Sequence, residues 1–179
     1  MLIKTVFSGF GGQGVLSMGH TLASAAMLEG KYVTYFPSYG AEVRGGTANC
    51  TVSISDEEIA SPVASQPDFV VSMNQPSFLR FQSLVQSGGL ILVNSSMVNI
   101  TSVRGDIEVV EIPTSELAEK LGNLKVANMI ILGVFIKVSN ITPFTLLLKN
   151  LPAILGEKRS RLLKINKEAL ELGFNYLQG

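Results

Sequence analysis

The chain has 179 residues, with 14 basic and 14 acidic side chains, one His and one Cys. That length suits one ordinary α/β domain, and zero net charge removes the broad basic field that nucleic-acid binding requires. Only 16% of residues are charged, against roughly 25% in typical soluble domains, and mean hydropathy is +0.35, so the chain either enters a membrane or buries surface against partners.

Residues 2–8 read as a short apolar strand. No long apolar run or small-residue cleavage site accompanies it, so no signal peptide is visible and the cytoplasm is the expected compartment. The run Gly9-Phe10-Gly11-Gly12-Gln13-Gly14 follows. Residues 15–28 then read as a helix, with Ser17, His20 and Ser24 along one stripe and Gly30 as its C-terminal cap. Residues 32–36 form a second strand, which Pro37 is expected to stop. Together these segments make one β–α–β unit of crossover length.

Residues 37–46 read as a glycine-rich loop and residues 47–55 as a strand. Nothing helical separates that strand from its predecessor, so it is the expected antiparallel member. Residues 68–73 form a buried strand that Asn74-Gln75-Pro76-Ser77 ends, before a short helix over 77–86. Residues 90–93 form another strand, closed by Asn94-Ser95-Ser96. A strand over 107–112 leads to a helix with Thr114 as N-cap and a stop near Gly122. Residues 123–138 form an apolar helix. Its most apolar part, 129–138, includes Lys137 and is shorter than the about 20 residues a membrane span needs. Thr142 and Pro143 cap a helix over 142–150, and residues 158–174 form an amphipathic helix bearing Lys158, Arg159, Arg161, Lys164 and Lys167. The alternation predicts one domain over 1–179: a three-layer α/β fold with a largely parallel sheet and one antiparallel strand.

Gly9, Gly11 and Gly14 fit the pattern G-x-G-x-x-G between a strand and a helix. Glycines there permit positive φ and close backbone approach, and the helix start offers unpaired N–H groups to a phosphate or carboxylate. The bland alternative is a tight turn that binds nothing. A dinucleotide enzyme further needs an acidic residue after the second strand to hold ribose. Pro37, Ser38 and Tyr39 stand there instead, Glu29 precedes the strand and Glu42 lies deep in the next loop, so the pattern counts against NAD. Arg44 comes several residues late for NADP.

The loop Pro37-Ser38-Tyr39-Gly40-Ala41-Glu42-Val43-Arg44-Gly45-Gly46 leaves the second strand at the sheet edge that also carries the glycine turn. Gly9 to Gly14, Tyr39 to Gly46, Met73-Asn74-Gln75-Pro76 and Lys125-Val126-Ala127-Asn128-Met129, in this order and spacing, resemble the gamma subunits of 2-oxoacid:ferredoxin oxidoreductases. The resemblance covers residue 2 to about residue 171, and its two main motifs follow the family pattern. It implies a Rossmann-like gamma domain in a complex that oxidatively decarboxylates a 2-oxoacid with coenzyme A, giving acyl-CoA, carbon dioxide and reduced ferredoxin. It also implies thiamine diphosphate and iron–sulfur clusters in alpha and beta companion subunits, with a small ferredoxin-like subunit as a further candidate partner. With one Cys and one His, this chain offers no cluster or metal ligand set of its own. No nucleic-acid or membrane partner is expected, and the low surface charge predicts that the isolated chain self-associates or exposes an apolar patch. Among oxoacids the reading leans to 2-oxoglutarate or a branched-chain acid.

Under this resemblance Gly9, Gly11, Gly12, Gln13, Gly14, Tyr39, Arg44, Gly45, Gly46 and Asn74 are candidates for coenzyme A or anion binding, or for an interface, and no catalytic residue is assigned. Each has a plainer reading beside it. Arg44 could pair with Glu42, Tyr39 could edge the core, and Asn74, Asn94, Ser95 and Ser96 could cap strand ends and turns. Asn128, inside an apolar helix, needs a partner and is expected to bond a neighbouring loop. His20 is expected half-buried, Cys50 is expected to behave as a small apolar residue, and the basic tail is expected to be a solvated face rather than a ferredoxin dock. Two rival functions stand: a free-standing nucleotide-dependent oxidoreductase and a purely structural assembly domain.

Overall fold

A computed structural model describes residues 1–39, 47–100 and 104–178. Its six strands are β1 (Leu2–Phe10), β2 (Tyr32–Tyr39), β3 (Thr47–Ser55), β4 (Phe69–Ser72), β5 (Leu90–Asn94) and β6 (Glu108–Ile112). The helices are α1 (Val15–Leu28), α2 (Gln75–Phe81), α3 (Thr114–Lys120), α4 (Ala127–Ser139), α5 (Phe144–Leu155) and α6 (Leu163–Asn175). The strands form one sheet in the order β2-β3-β1-β4-β5-β6. β1, β4, β5 and β6 are mutually parallel, and β3 runs antiparallel to both of its neighbours. The expected antiparallel strand is therefore β3, with its bounds as read. It lies between β1 and β2, so the β1–α1–β2 crossover spans an inserted strand.

The period-2 alternation of β1 sends Phe7 to one face and Val6 to the other. Phe7 joins the larger core, with α1, α3, α4, α5 and α6, while Val6 joins a smaller one with Phe78, Phe81, Val85 and Val98. The three layers are thus uneven: α2 and its flanking segments cover one face and five helices cover the other. In β3, Cys50, Val52 and Ile54 enter the larger core while Thr51, Ser53 and Ser55 alternate with them.

Helix α4 sits inside the thicker layer. Its ten residues from Ala127 through Ile136 are all buried, which explains a sequence apolar all round rather than on one stripe. Phe135 makes edge-to-face contacts with Phe7 at 5.6 Å and Phe69 at 5.5 Å. On its outer side α4 meets α6 through two glycines. A Cβ on Gly133 would strike the Leu170 carbonyl, and one on Gly173 would strike the Ile130 carbonyl. The two backbones touch where no side chain fits.

Five local expectations are corrected. Pro37 does not stop β2, which continues to Tyr39; β2 is an edge strand, where a residue lacking N–H costs the ladder nothing if it faces outward. The helix after β4 begins at Gln75, not residue 77, because Asn74 caps it and Pro76 fits its first turn. Thr114 is not the cap of α3; Pro113 holds that position, and the Thr114 hydroxyl is buried with no partner among the described residues. Thr142 does not cap α5 but donates to Glu29 Oε2 at 2.9 Å, and α5 runs on through Pro152. His20, expected half-buried, is exposed with its ring edge towards Tyr35.

Replacing Gly173 with Ala forces α4 and α6 apart. The expected loss is about 1–3 kcal/mol, the range for overpacking, read by urea unfolding. Gly105→Ala, where a Cβ meets nothing within 4 Å, is the control and stays within about 0.5 kcal/mol of the parent.

Candidate functional site

β1 and β4 are adjacent and parallel, yet the chain leaves β1 towards β2 and returns on the other side to build β4, β5 and β6. Their carboxyl ends therefore flank a switch point, where open α/β sheets form a crevice. The glycine turn leaves β1 there. Phe10 pairs with Thr47 and Tyr39 pairs with Ala48, so the two ends of the 40–46 loop leave the same edge. Arg44, Gly45 and Gly46 lie outside the described residues, as does the side chain of Tyr39.

Gly14 precedes α1 with φ of 73°, and no side chain caps the helix. This left-handed backbone, together with the Asn128 amide where a Cβ would lie, requires glycine. Gly12 has φ of 99° with open space around it, so conformation alone selects it. Gly9 is glycine for space: a Cβ would crowd Gln13, Val15 and Met73. The first N–H groups of α1 thus have no side-chain partner among the described residues, and its first turn carries no acidic residue.

Gln13 fastens the turn. Its Oε1 accepts from the Phe10 N–H at 2.7 Å and from Asn74 Nδ2 at 3.0 Å, and its Nε2 donates to the Met73 carbonyl at 3.2 Å. Asn74 is 1% exposed, and its Oδ1 accepts from the Ser77 N–H at 3.0 Å. Both atoms of its amide are therefore committed within the protein. The same holds one strand further: Asn94 Nδ2 donates to Ser115 Oγ at 2.9 Å, its Oδ1 accepts from the Ser96 N–H at 3.3 Å, and Ser96 Oγ accepts from the Glu116 N–H at 3.3 Å. Capping is what Asn74, Asn94 and Ser96 do here. Asn128 bonds the neighbouring turn as expected, donating from Nδ2 to the Gly14 carbonyl at 3.2 Å, while its Oδ1 is buried without a partner among the described residues.

Beside the turn lies a cavity of about 730 Å³. It opens between the ends of β1, β4 and β5 on one side and α3 with the 3₁₀ turn Leu124–Val126 on the other. Gly11, Gly12 and Gln13 form one wall, and Met97, Ser115, Glu119, Leu124 and Lys125 form the opposite side. Sequence reasoning assigned none of the second set to a site, although Lys125 lies in one of its motifs. Met97 and Leu124 carry a signal only in retrospect, as large apolar residues in turns, 46% and 54% exposed.

Cys50 lies outside this crevice, fully buried, with Sγ donating to the Val15 carbonyl at 3.7 Å. Burial pushes its thiol up to about 12, so it behaves as an apolar residue. Among the described residues, no group of three or more His, Cys, Asp or Glu could hold a metal ion, and no helix is long and apolar enough to cross a membrane. In the tail, Lys164 and Lys167 face Glu168 and Glu171 at 4.0 and 3.8 Å along α6, which favours the solvated-face reading.

These features define an open α/β domain with a glycine-turn crevice at the switch point of its sheet. The chain belongs to the pyruvate ferredoxin/flavodoxin oxidoreductase family, which it matches over residues 4–176. It is 44% identical over 132 residues to ketoisovalerate oxidoreductase subunit VorA of Methanothermobacter thermautotrophicus, a match covering 74% of this chain and 27% of VorA. The chain thus spans about a quarter of that relative's length. It is 36% identical over 141 residues to 2-oxoglutarate synthase subunit KorC of Methanothermobacter marburgensis, covering 75% of this chain and 76% of KorC. Among solved structures, the keto/oxoacid ferredoxin oxidoreductase gamma subunit from Geobacter sulfurreducens superposes with a TM-score of 0.81 at 28% identity, covering 97% of this chain and 96% of that one.

Two outcomes follow from the bonding pattern. Asn74→Ala removes both the α2 cap and a Gln13 partner, at a cost of about 1–2 kcal/mol; with Gln13→Ala added, the losses are non-additive by about 0.5 kcal/mol or more, measured by a double-mutant cycle of urea unfolding. Cys50 in the folded chain resists iodoacetamide near pH 8.5 and reacts once the chain is unfolded in urea. Because its thiol is raised in the fold, the unfolded state releases its proton first, so stability falls as pH rises from roughly 8.5 towards about 12. Cys50→Ala abolishes that part of the pH dependence.

Proposed function

We propose that this chain is the gamma subunit of a multi-subunit 2-oxoacid:ferredoxin oxidoreductase and that its glycine-turn edge forms part of the coenzyme A entrance. The complex so assembled oxidatively decarboxylates a 2-oxoacid, transfers the acyl group to coenzyme A and passes electrons to ferredoxin. Thiamine diphosphate and the iron–sulfur clusters belong to the alpha and beta companions. One cysteine, buried in the sheet, supplies no ligand set for a cluster in this chain. VorA is named for ketoisovalerate and KorC for 2-oxoglutarate, which supports a branched-chain oxoacid or 2-oxoglutarate as the substrate class.

One observation carries the entrance role: an uncapped 14-residue helix start, α1, behind a glycine turn at the switch point of the sheet. Such a helix start favours an anion, and of the two substrates coenzyme A is the one bearing phosphates. In this reading Gly9, Gly11, Gly12 and Gly14 shape the approach, while Gln13 and Asn74 hold the turn rather than touch the ligand. Arg44, followed in sequence by Gly45 and Gly46 and five residues after Tyr39, adds charge and forked donors in this reading. The rival reading, a free-standing nucleotide enzyme, lacks the acidic residue that ribose binding needs after β2.

Arg44→Ala in the assembled complex raises the KM for coenzyme A about tenfold or more, as expected for losing a charge-assisted hydrogen bond of about 1.5–3 kcal/mol, and leaves the KM for the oxoacid within about twofold. An unchanged coenzyme A dependence in an intact complex makes these loops interface structure and removes the entrance role.

A further inference from the structure

Two neighbouring elements make the border of the sheet beyond β3: the edge strand β2 and the helix α1 that packs against it. Neither contains an Asp, Glu, Lys or Arg, over 8 and 14 residues. At the other border β6 carries two glutamates in five residues. Tyr32 and Phe36 are exposed along β2. On α1, spacings of four and three put His20, Ser24 and Met27 on one stripe. His20 and Met27 are exposed, and the His20 ring meets Tyr35 edge-on, so the stripe runs beside β2. An uncharged, partly aromatic border has the composition of an interface core, whereas solvated sheet edges are commonly guarded by charge.

The bonding pattern fixes how a strand can add there. The Lys4 and Ser8 carbonyls accept from the Asp68 and Met73 N–H groups, so the even residues of β1 serve β4 and its odd residues serve β3. The registers of β1 with β3 and of β3 with β2 carry this parity outward. Tyr32, Thr34, Phe36 and Ser38 bond to β3, while Val33, Tyr35 and Pro37 turn their main chain to the outer side. Pro37 has no N–H to give, so an added ladder has to end before it. An antiparallel copy of β2 centred on Thr34 meets these conditions. Val33 then lies across from Tyr35 of the copy in hydrogen-bonded pairs, and Thr34 meets its own copy at the non-hydrogen-bonded position between them. Tyr32 faces Phe36 on both sides of the axis, a favourable cross-strand aromatic pair, and Pro37 falls beyond the last of these pairs. A two-fold contact also sets each group near its axis against itself, where a charge would meet a like charge; this strand brings none. We propose that β2 pairs antiparallel with β2 of a second copy of this chain. Two six-stranded sheets then run on as one, with the two α1 stripes side by side on the same face. The pairing stands independently of the coenzyme A reading.

The test is the mass of the intact chain in solution, by sedimentation or light scattering. The parent is expected at twice 19.2 kDa. Thr34→Lys and Thr34→Glu each set like charges across the axis and are expected at the single-chain mass, while an equal mixture of the two recovers the double mass and so shows that both fold. Thr34→Cys is expected to close a disulfide across the axis on mild oxidation. Ser38→Cys, exposed on the same face but outside the ladder, stays a thiol, and buried Cys50 takes no part. A parent at the single-chain mass overturns the inference. So does a doubled mass that survives both charged variants, or a Thr34→Cys chain that cross-links no faster than Ser38→Cys; either places the contact elsewhere. If the parent is single and Thr34→Lys no longer joins its companion subunits, the border belongs to one of them.

Discussion

The packing of this molecule depends on a helix that is buried along ten consecutive residues. The burial of α4 from Ala127 through Ile136 means that each of its sides must meet another element. Phe135 meets the sheet at Phe7 and Phe69. Gly133 meets α6 backbone to backbone. Asn128, near its start, reaches the carbonyl of Gly14. The helix that anchors the core therefore also fixes the start of α1 and the last glycine of the turn. The contacts that lead from α6 through α4 to the glycine turn are thus direct ones.

That edge is organised by side-chain amides facing inward. Gln13 and Asn74 tie the end of β1 to the end of β4, and Asn94 ties the end of β5 to the start of α3. Each takes up backbone donors or side-chain hydroxyls that strand ends and helix starts would otherwise leave unbonded. The result is a rigid rim whose amides are used up, leaving backbone N–H groups and charged side chains as the groups able to meet a ligand.

Much of this was legible in the sequence. Residues 47–55 showed their antiparallel role because no helix precedes them, and residues 15–28 showed their exact span through a glycine at each end. The glycine turn was legible because conformation demands it: Gly12 and Gly14 both have positive φ. The mistakes have local causes. Pro37 reads as a strand breaker until the strand is known to lie at the edge of the sheet. Thr114 and Thr142 read as caps, but Thr142 is drawn to Glu29, 113 positions away, a contact no local pattern encodes. The roles of Gly133 and Gly173 depend on two helices meeting, and a glycine inside a helix pattern signals only that something must come close. The far wall of the cavity was not legible as a wall for the same reason: Lys125 stood in a motif of the sequence, but Met97 and Glu119 reach it from two other segments.

The two borders of the sheet differ in kind. β6 carries exposed Glu108 and Glu111 along its five residues, so an incoming strand would have to bury carboxylates to add there. β2, from Tyr32 to Tyr39, has no charged residue at all, and Pro37 is its one built-in obstacle to extension. Tyr32 and Phe36 sit 53% and 48% exposed along it. Charge thus guards one border of the sheet, while on β2 proline is the feature that resists an added strand.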